Sequence, residues 1–172
     1  MRRMLIANAA ALVLAGCATA SGDGRGTAAS AELNLSSGSS AGRATISERD
    51  GAVRLRVEAT GLAPGVHGIH IHSVGRCDPP DFTTAGPHLN PAGRQHGRDN
   101  PQGMHQGDLP NLTVGTDGRG SIDALVPGAT SAAALLDADG SAIVIHAAPD
   151  DYRTDPSGNS GARIACGVLA AG

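Results

Sequence analysis

The sequence predicts an all-β domain, an antiparallel sandwich or barrel of about eight strands that carries two long loops. Three observations predict it. Gly (25) and Pro (10) make up about a fifth of the 172 residues, which suits a turn-rich fold more than long helices. Apolar residues recur at every second position in several short runs, the period of a half-buried strand. Asp-Gly pairs, which favour tight hairpin turns, stand beside those runs at Asp50-Gly51, Asp117-Gly118 and Asp139-Gly140. The length allows one domain with a sizeable core. Phe82 and Tyr152 are the only aromatics, so Val, Ile, Leu and Ala must build that core.

Residues 1–16 read as a signal peptide. Arg2 and Arg3 precede an apolar run from Leu5 to Leu14 that is too short to span a bilayer. Leu14-Ala15-Gly16-Cys17 resembles a bacterial lipobox, which implies lipidation of Cys17 as the mature first residue and a membrane anchor. A plain signal peptide cleaved after Ala18 or Ala20 is the alternative. Residues 17–30, small, polar and Gly-rich after the Cys, read as a flexible tether. The folded domain is expected to span 31–172. Within it Ala44 to Ser47 and Val53 to Ala59 read as strands joined by Asp50-Gly51. Val53, Leu55 and Val57 alternate there with Arg54, Arg56 and Glu58. Val66 to Ser73 alternates too, with Ile69 and Ile71 on one face and His70 and His72 on the other. Leu112 to Val114, Ile122 to Val126, Ala142 to Ile145 and Arg163 to Leu169 complete the strand set. Val74 to Pro110 and Ala147 to Gly161 break the rhythm. Loops this long in a compact domain are usually functional.

Removal of residues 1–16 takes away two of the 13 basic residues and none of the 16 acidic ones. The mature chain then has 11 basic against 16 acidic, a formal −5 with His neutral, which makes nucleic acid an unsuitable partner. No Lys occurs; every basic residue is Arg. Export permits disulfides. Three Cys is an odd number, and lipidation of Cys17 leaves Cys77 and Cys166 to pair. Such a link closes a loop of about 90 residues, worth up to ~4–5 kcal/mol on the chain-entropy model.

The seven His carry the chemistry. Six lie between His67 and His105, and His146 ends a later strand. His70 and His72 share one strand face at roughly 6.5–7 Å, close enough for both rings to reach one ion. His67 cannot share that face in a regular strand and suits a supporting role. Ser73-Val74-Gly75 follows, where zinc hydrolases that begin with His-x-His continue with Asp-His. Then His88, His96, His105 and Asp108 supply three imidazoles and a carboxylate. That is a closed tetrahedral zinc set with no open position.

Five stretches now carry a resemblance: GVHGIHIH (65–72), TAGPHLNP (84–91), GDLPN (107–111) with His105 just before it, IHAAPDD (145–151) and GNSGARIACGV (158–168). The chain resembles the copper/zinc superoxide dismutases of the bacterial exported type from about Ala31 onward. The resemblance implies a Greek-key, immunoglobulin-like antiparallel β-barrel of eight strands. It implies one copper and one zinc per subunit: copper on His70, His72, His88 and His146, and zinc on His88, His96, His105 and Asp108, with His88 the bridge. Asp150 matches the carboxylate that links a copper His to a zinc His, and His67 a His that braces the loops without touching metal. Arg163 matches the Arg that guides the substrate anion, and Cys77–Cys166 the family disulfide.

The activity implied is dismutation of superoxide to O2 and H2O2, with Arg163 and His88 as the catalytic residues. It needs a one-electron centre. Zinc has no redox chemistry, and imidazoles suit copper in either oxidation state. Local positive charge must attract a small anion to a net-negative protein. The loop from Ala147 to Gly161 lacks the Lys that other members place at the mouth and offers Arg153 amid Asp150, Asp151 and Asp155. Arg94 and Arg98 are candidates to substitute from the long loop. The alternative physiological role is copper or zinc buffering, for which Arg163 has no use. A zinc hydrolase would need an open metal position and a general base, and neither is visible. The expected location is the periplasm or cell envelope, lipid-anchored to a membrane, protecting it from superoxide. Monomer and homodimer both remain open, with few aromatics to build an interface.

Overall fold

A computed structural model of the chain describes residues 27–172. The expected signal peptide, Cys17 and most of the expected tether lie outside the described residues. Ten strands occur among these: β1 (Thr27–Leu35), β2 (Ser40–Arg49), β3 (Ala52–Ala59), β4 (Gly65–His67), β5 (Ile69–His72), β6 (Leu112–Val114), β7 (Gly120–Leu125), β8 (Ala142–His146), β9 (Arg163–Val168) and β10 (Ala170–Ala171). They form one antiparallel sheet in the order β4-β6-β7-β3-β2-β1-β9-β8-β5, with β10 on β1. The two ends of that path, β4 and β5, are consecutive in sequence, so the sheet curls into a nearly closed barrel. The jumps from β3 to β7 and from β1 to β9 make it a Greek key. Among the described residues helix is limited to two short 3-10 turns, Thr83–Ala85 and Ala132–Leu135.

Period-2 patterning fills the barrel. Val53, Leu55 and Val57 point inward from β3 with no exposed surface, while Arg54, Arg56 and Glu58 face solvent. Leu33, Ile46, Ile69, Ile71, Leu112, Ile143 and Ile145 complete the centre. At the β2–β3 turn Asp50 (φ 52°) and Gly51 (φ 71°) both adopt left-handed backbone. That is the geometry for which an Asp-Gly hairpin is selected. Asp117-Gly118 joins β6 to β7, closed by the bond from Gly115 N–H to Arg119 O at 2.8 Å.

Three expectations need correction. Strand β1 opens at Thr27, so the folded domain reaches four residues into the expected tether. The segment TAASAELNL looks like linker because its inward residues are small, yet Ala29 and Ala31 are buried. Asp139-Gly140 joins no strand pair: it is a loop turn before β8, packed on Gly75. Val66 to Ser73 is two strands, with β4 paired to β6 and β5 to β8. The break is Gly68, whose N–H bonds Ala148 O and whose carbonyl accepts from His146 N–H, each at 2.8 Å. A Cβ at residue 68 would sit 2.6 Å from Ser160 Oγ, so only glycine lets the second long loop approach there.

Candidate metal centre

On β5 the alternation sends Ile69 and Ile71 into the barrel and His70 and His72 to its outer face. All four residues are buried, because the segments 74–110 and 147–161 cover that face. Bridges at His70–Asp108 and His72–His88 pin the first of these loops along β5. Strand β8 pairs with β5 and ends at His146, which brings a third imidazole alongside.

Four ring nitrogens define one set. His70 Nδ1, His72 Nε2, His88 Nε2 and His146 Nε2 are buried and have no hydrogen-bond partner. Ligand atoms of these four residues all lie within 4.8 Å of one another. The opposite nitrogen of each ring faces a group that can only accept. His70 Nε2 donates to Asp150 Oδ2 at 2.8 Å, His72 Nδ1 to Gly86 O at 2.8 Å, His88 Nδ1 to Asp108 Oδ1 at 3.1 Å and His146 Nδ1 to Gly161 O at 3.2 Å. In a neutral imidazole one nitrogen carries the proton and the other a lone pair. The carbonyl and carboxylate partners therefore direct four lone pairs at one place. Burial pushes His70 down to about 3, His72 to about 2 and His146 to about 4, and it lowers His88 as well. Four buried lone pairs that converge without a donor fit a cation.

A second set surrounds one carboxylate. Asp108 Oδ1 lies 3.1 Å from His88 Nδ1, 2.9 Å from His96 Nδ1 and 3.3 Å from His105 Nδ1. Its Oδ2 accepts from the N–H groups of Gly97 and His105, each at 2.9 Å. His70, His88, His96 and Asp108 also bring ligand atoms within 4.8 Å of one another. The Nδ1 atoms that converge on the carboxylate, however, belong to His88, His96 and His105, whereas the free nitrogen of His70 opens on the first set. His88 faces both sets, one through each nitrogen. Burial alone would raise Asp108, but hydrogen bonds from His88, His96 and Gly97 outweigh it and hold the carboxyl well below the usual range. Burial would lower His96, but Asp108 and Asp150 lift it to about 9.

Asp150 ties the sets together. Its Oδ1 is 3.0 Å from His96 Nε2, while Oδ2 holds His70. Both ring nitrogens of His67 face carbonyls, Nδ1 that of His146 at 2.8 Å and Nε2 that of Ala63 at 3.0 Å, and neither is directed at either set; the tautomer decides which of the two carbonyls receives the N–H. Arg163, opposite His146 in the β8–β9 register, donates to Phe82 O at 2.7 Å and Gly86 O at 2.8 Å. Cys77 and Cys166 are joined, with Cα atoms 5.7 Å apart, so the first long loop is fastened to β9. Arg94 donates to Gly103 O and Arg98 stacks 5.2 Å over Tyr152.

Sequence reasoning passed over four residues here. Asn111 clamps the backbone of Asp150 in both directions, each bond 2.9 Å. The Tyr152 hydroxyl accepts from Asn111 N–H at 2.8 Å. Gly158 (φ 64°) is so close that a Cβ would overlap the Asp150 carboxylate and come 2.7 Å from His96 Nε2. Asp155 Oδ1 accepts from His96 N–H at 2.6 Å. Asn111 and Gly158 lie in the stretches that carry the resemblance, but spacing alone gave them no task.

Residues 40–169 match the family model described as copper/zinc superoxide dismutase. The Cu-Zn superoxide dismutase of Caulobacter vibrioides is 44% identical over 147 residues, covering 82% of this chain and 84% of the relative. The Cu-Zn superoxide dismutase 1 of Aquifex aeolicus is 40% identical over 144 residues, covering 81% of this chain and 85% of the relative. The crystal structure of a superoxide dismutase-like protein from Bacillus subtilis superposes with a TM-score of 0.77 at 42% identity, covering 82% of this chain and 97% of that one.

Proposed function

The chain belongs to the copper/zinc superoxide dismutase family, and from that premise we propose that it dismutates superoxide to O2 and H2O2 at a copper on His70, His72, His88 and His146, next to a zinc on His88, His96, His105 and Asp108. The observation that carries the reading is the four buried ring nitrogens without partners. Copper held there would supply the one-electron redox chemistry that dismutation needs.

The rest belongs to the chain's own groups. His88 presents Nε2 to the first set and Nδ1 to the second, so it is the one residue that would serve both ions, and its Nε2 is a place where a proton could be held within reach of the substrate. Asp150 fixes the tautomers of His70 and His96 together, as partners behind metal-binding imidazoles do. Gly86 O accepts from both His72 Nδ1 and Arg163, so one carbonyl sets a ligand ring and the guiding cation in a common frame. Arg163, held on two carbonyls and half-buried, offers fixed positive charge to a small anion. His67 braces β4 against the end of β8. The expected fold boundary at residue 31 moves to Thr27, which leaves 1–16 as the proposed signal peptide and 17–26 as the proposed lipidated Cys and tether.

The Cys77–Cys166 disulfide supports an oxidising compartment. Lipidation at Cys17, residence in the periplasm or envelope, protection of that envelope and a monomeric or dimeric state complete the proposal. Metal analysis of the mature chain beside a superoxide-removal assay tests it. One copper and one zinc per chain with activity, lowered by Arg163→Ala at unchanged metal content, is the expected result. Full metal content without activity would leave buffering as the function.

A further inference from the structure

The second long loop carries another carboxylate aimed at the same histidines. Asp155 Oδ1 accepts from the backbone N–H of His96 at 2.6 Å and lies 3.8 Å from His105 Nε2. The Nδ1 of His105 faces Asp108, so the ring stands between two carboxylates, one at each nitrogen. The His105 side chain is 6% exposed and Asp155 is half-exposed at 48%. The carboxylate thus stands where the outer edge of the ring meets solvent. Asp150, five residues earlier on the same loop, hydrogen-bonds ring nitrogens of His70 and His96 directly, at 2.8 and 3.0 Å, whereas Asp155 stands beyond hydrogen-bond distance of His105 Nε2 and acts there through its charge.

We propose that Asp155 is a second positioning carboxylate of the zinc set, biasing His105 by its negative charge beside Nε2 and holding His96 through its backbone N–H. The inference rests on the reading of His96 and His105 as zinc ligands. A His that binds an ion through Nδ1 must keep its proton on Nε2, and coordination makes that N–H a stronger donor. The carboxylate beside that nitrogen is Asp155, at 3.8 Å. Its charge favours the tautomer and ring orientation that leave Nδ1 to the metal, and it adds a negative charge beside the cation. A bare loop clasp on His96 N–H is the competing account. It requires an acceptor oxygen and no charge, so asparagine would serve equally well.

The test uses the mature chain, its Asp155→Asn and Asp155→Ala variants, and His105→Ala as a reference. Zinc affinity is measured by competition with a chelator, and the visible spectrum is recorded after cobalt(II) is loaded in place of zinc. Asp155→Ala is expected to weaken zinc about tenfold, the low end for partners behind metal-binding imidazoles. Asp155→Asn is expected to weaken it severalfold, with a shifted cobalt spectrum in both. Affinity within twofold of the parent and an unchanged spectrum in both variants would overturn the inference and leave the zinc reading intact. Asp155→Asn matching the parent while Asp155→Ala does not would overturn it in favour of the loop clasp. A parent whose cobalt spectrum is indifferent to His105→Ala would overturn the zinc reading and this inference with it.

Discussion

The two halves of the site are built from different materials. His70, His72 and His146 sit on β5 and β8, paired strands whose opposite faces carry Ile69, Ile71, Ile143 and Ile145 into the core. Their positions come from a ladder that hydrophobic burial already stabilises. His96, His105 and Asp108 lie on a loop with little apolar surface. That loop is held by a disulfide, by bonds to backbone groups, and by Asp150 and Asp155 from a second loop. The strand-borne half keeps its shape for reasons unconnected with metal. The loop-borne half is ordered by polar contacts that the ligands themselves help to make, so its geometry and its metal depend on each other.

Acid and base should divide the two halves, with the largest effect of any change considered. In the metal-free protein His70, His72 and His146 hold values of about 3, 2 and 4 because burial disfavours the charged ring. Unfolded, each takes up a proton as pH falls below about 6.5. Over the window between that value and the folded ones, the unfolded state binds more protons and stability falls with pH. Each ring contributes about 1.4 kcal/mol per pH unit. The three together should cost on the order of 5 kcal/mol between pH 6.5 and 5. His96 has the opposite sign. Raised to about 9 by Asp108 and Asp150 against burial, its contribution is complete below 6.5 and is lost as pH rises through 9. Denaturant midpoints of the chelator-treated protein across pH 4 to 10 would measure both. A flat profile below pH 6.5 would sink the account of the strand-borne half.

The same division explains how much was legible in the sequence. The strand-borne histidines could be read because period-2 alternation puts His70 and His72 on one face whatever surrounds them. Strand β3 was readable for the same reason. The loop-borne candidates were countable as residue types, but their arrangement rests on contacts from 40 to 60 residues away, such as His96 to Asp150, that no local period encodes. Of the supports, Asp150 and His67 came only with the resemblance, and four others were given no supporting role. Asn111, Tyr152, Asp155 and Gly158 act through a backbone clamp, a single hydroxyl, a shared oxygen and a missing Cβ. Strand β1 was missed because alanines patterned for burial under a closely packed sheet look like linker.

Gly158→Ala strikes the loop-borne half at its joint. A methyl there meets the Asp150 carboxylate and stands 2.7 Å from His96 Nε2, on backbone at φ 64° that costs a non-glycine residue about 1 kcal/mol. Displacing Asp150 also strips the buried His70 and His96 of their acceptor, so the total is expected to be about 3 kcal/mol. Zinc affinity should fall at least tenfold, while copper uptake falls less because His72 and His146 are oriented by Gly86 O and Gly161 O. Separate titrations with the two metals check the ratio. Equal losses would mean that the halves are not independently supported.

Tyr152→Phe is the smallest change and the finest probe. The hydroxyl accepts from Asn111 N–H, Asn111 clamps the Asp150 backbone, and Asp150 joins His70 to His96. The ring stays, with its contact to Arg98, so only one acceptor is removed. A part-buried N–H left without its partner costs about 1 kcal/mol. If the clamp transmits to the carboxylate, that loss should appear in zinc affinity as well as in the unfolding midpoint, since three hydrogen-bonded links join the hydroxyl to His96. If the midpoint falls while zinc binding stays unchanged, Asn111 alone is sufficient to hold Asp150, and the loop-borne half is stiffer than its composition suggests.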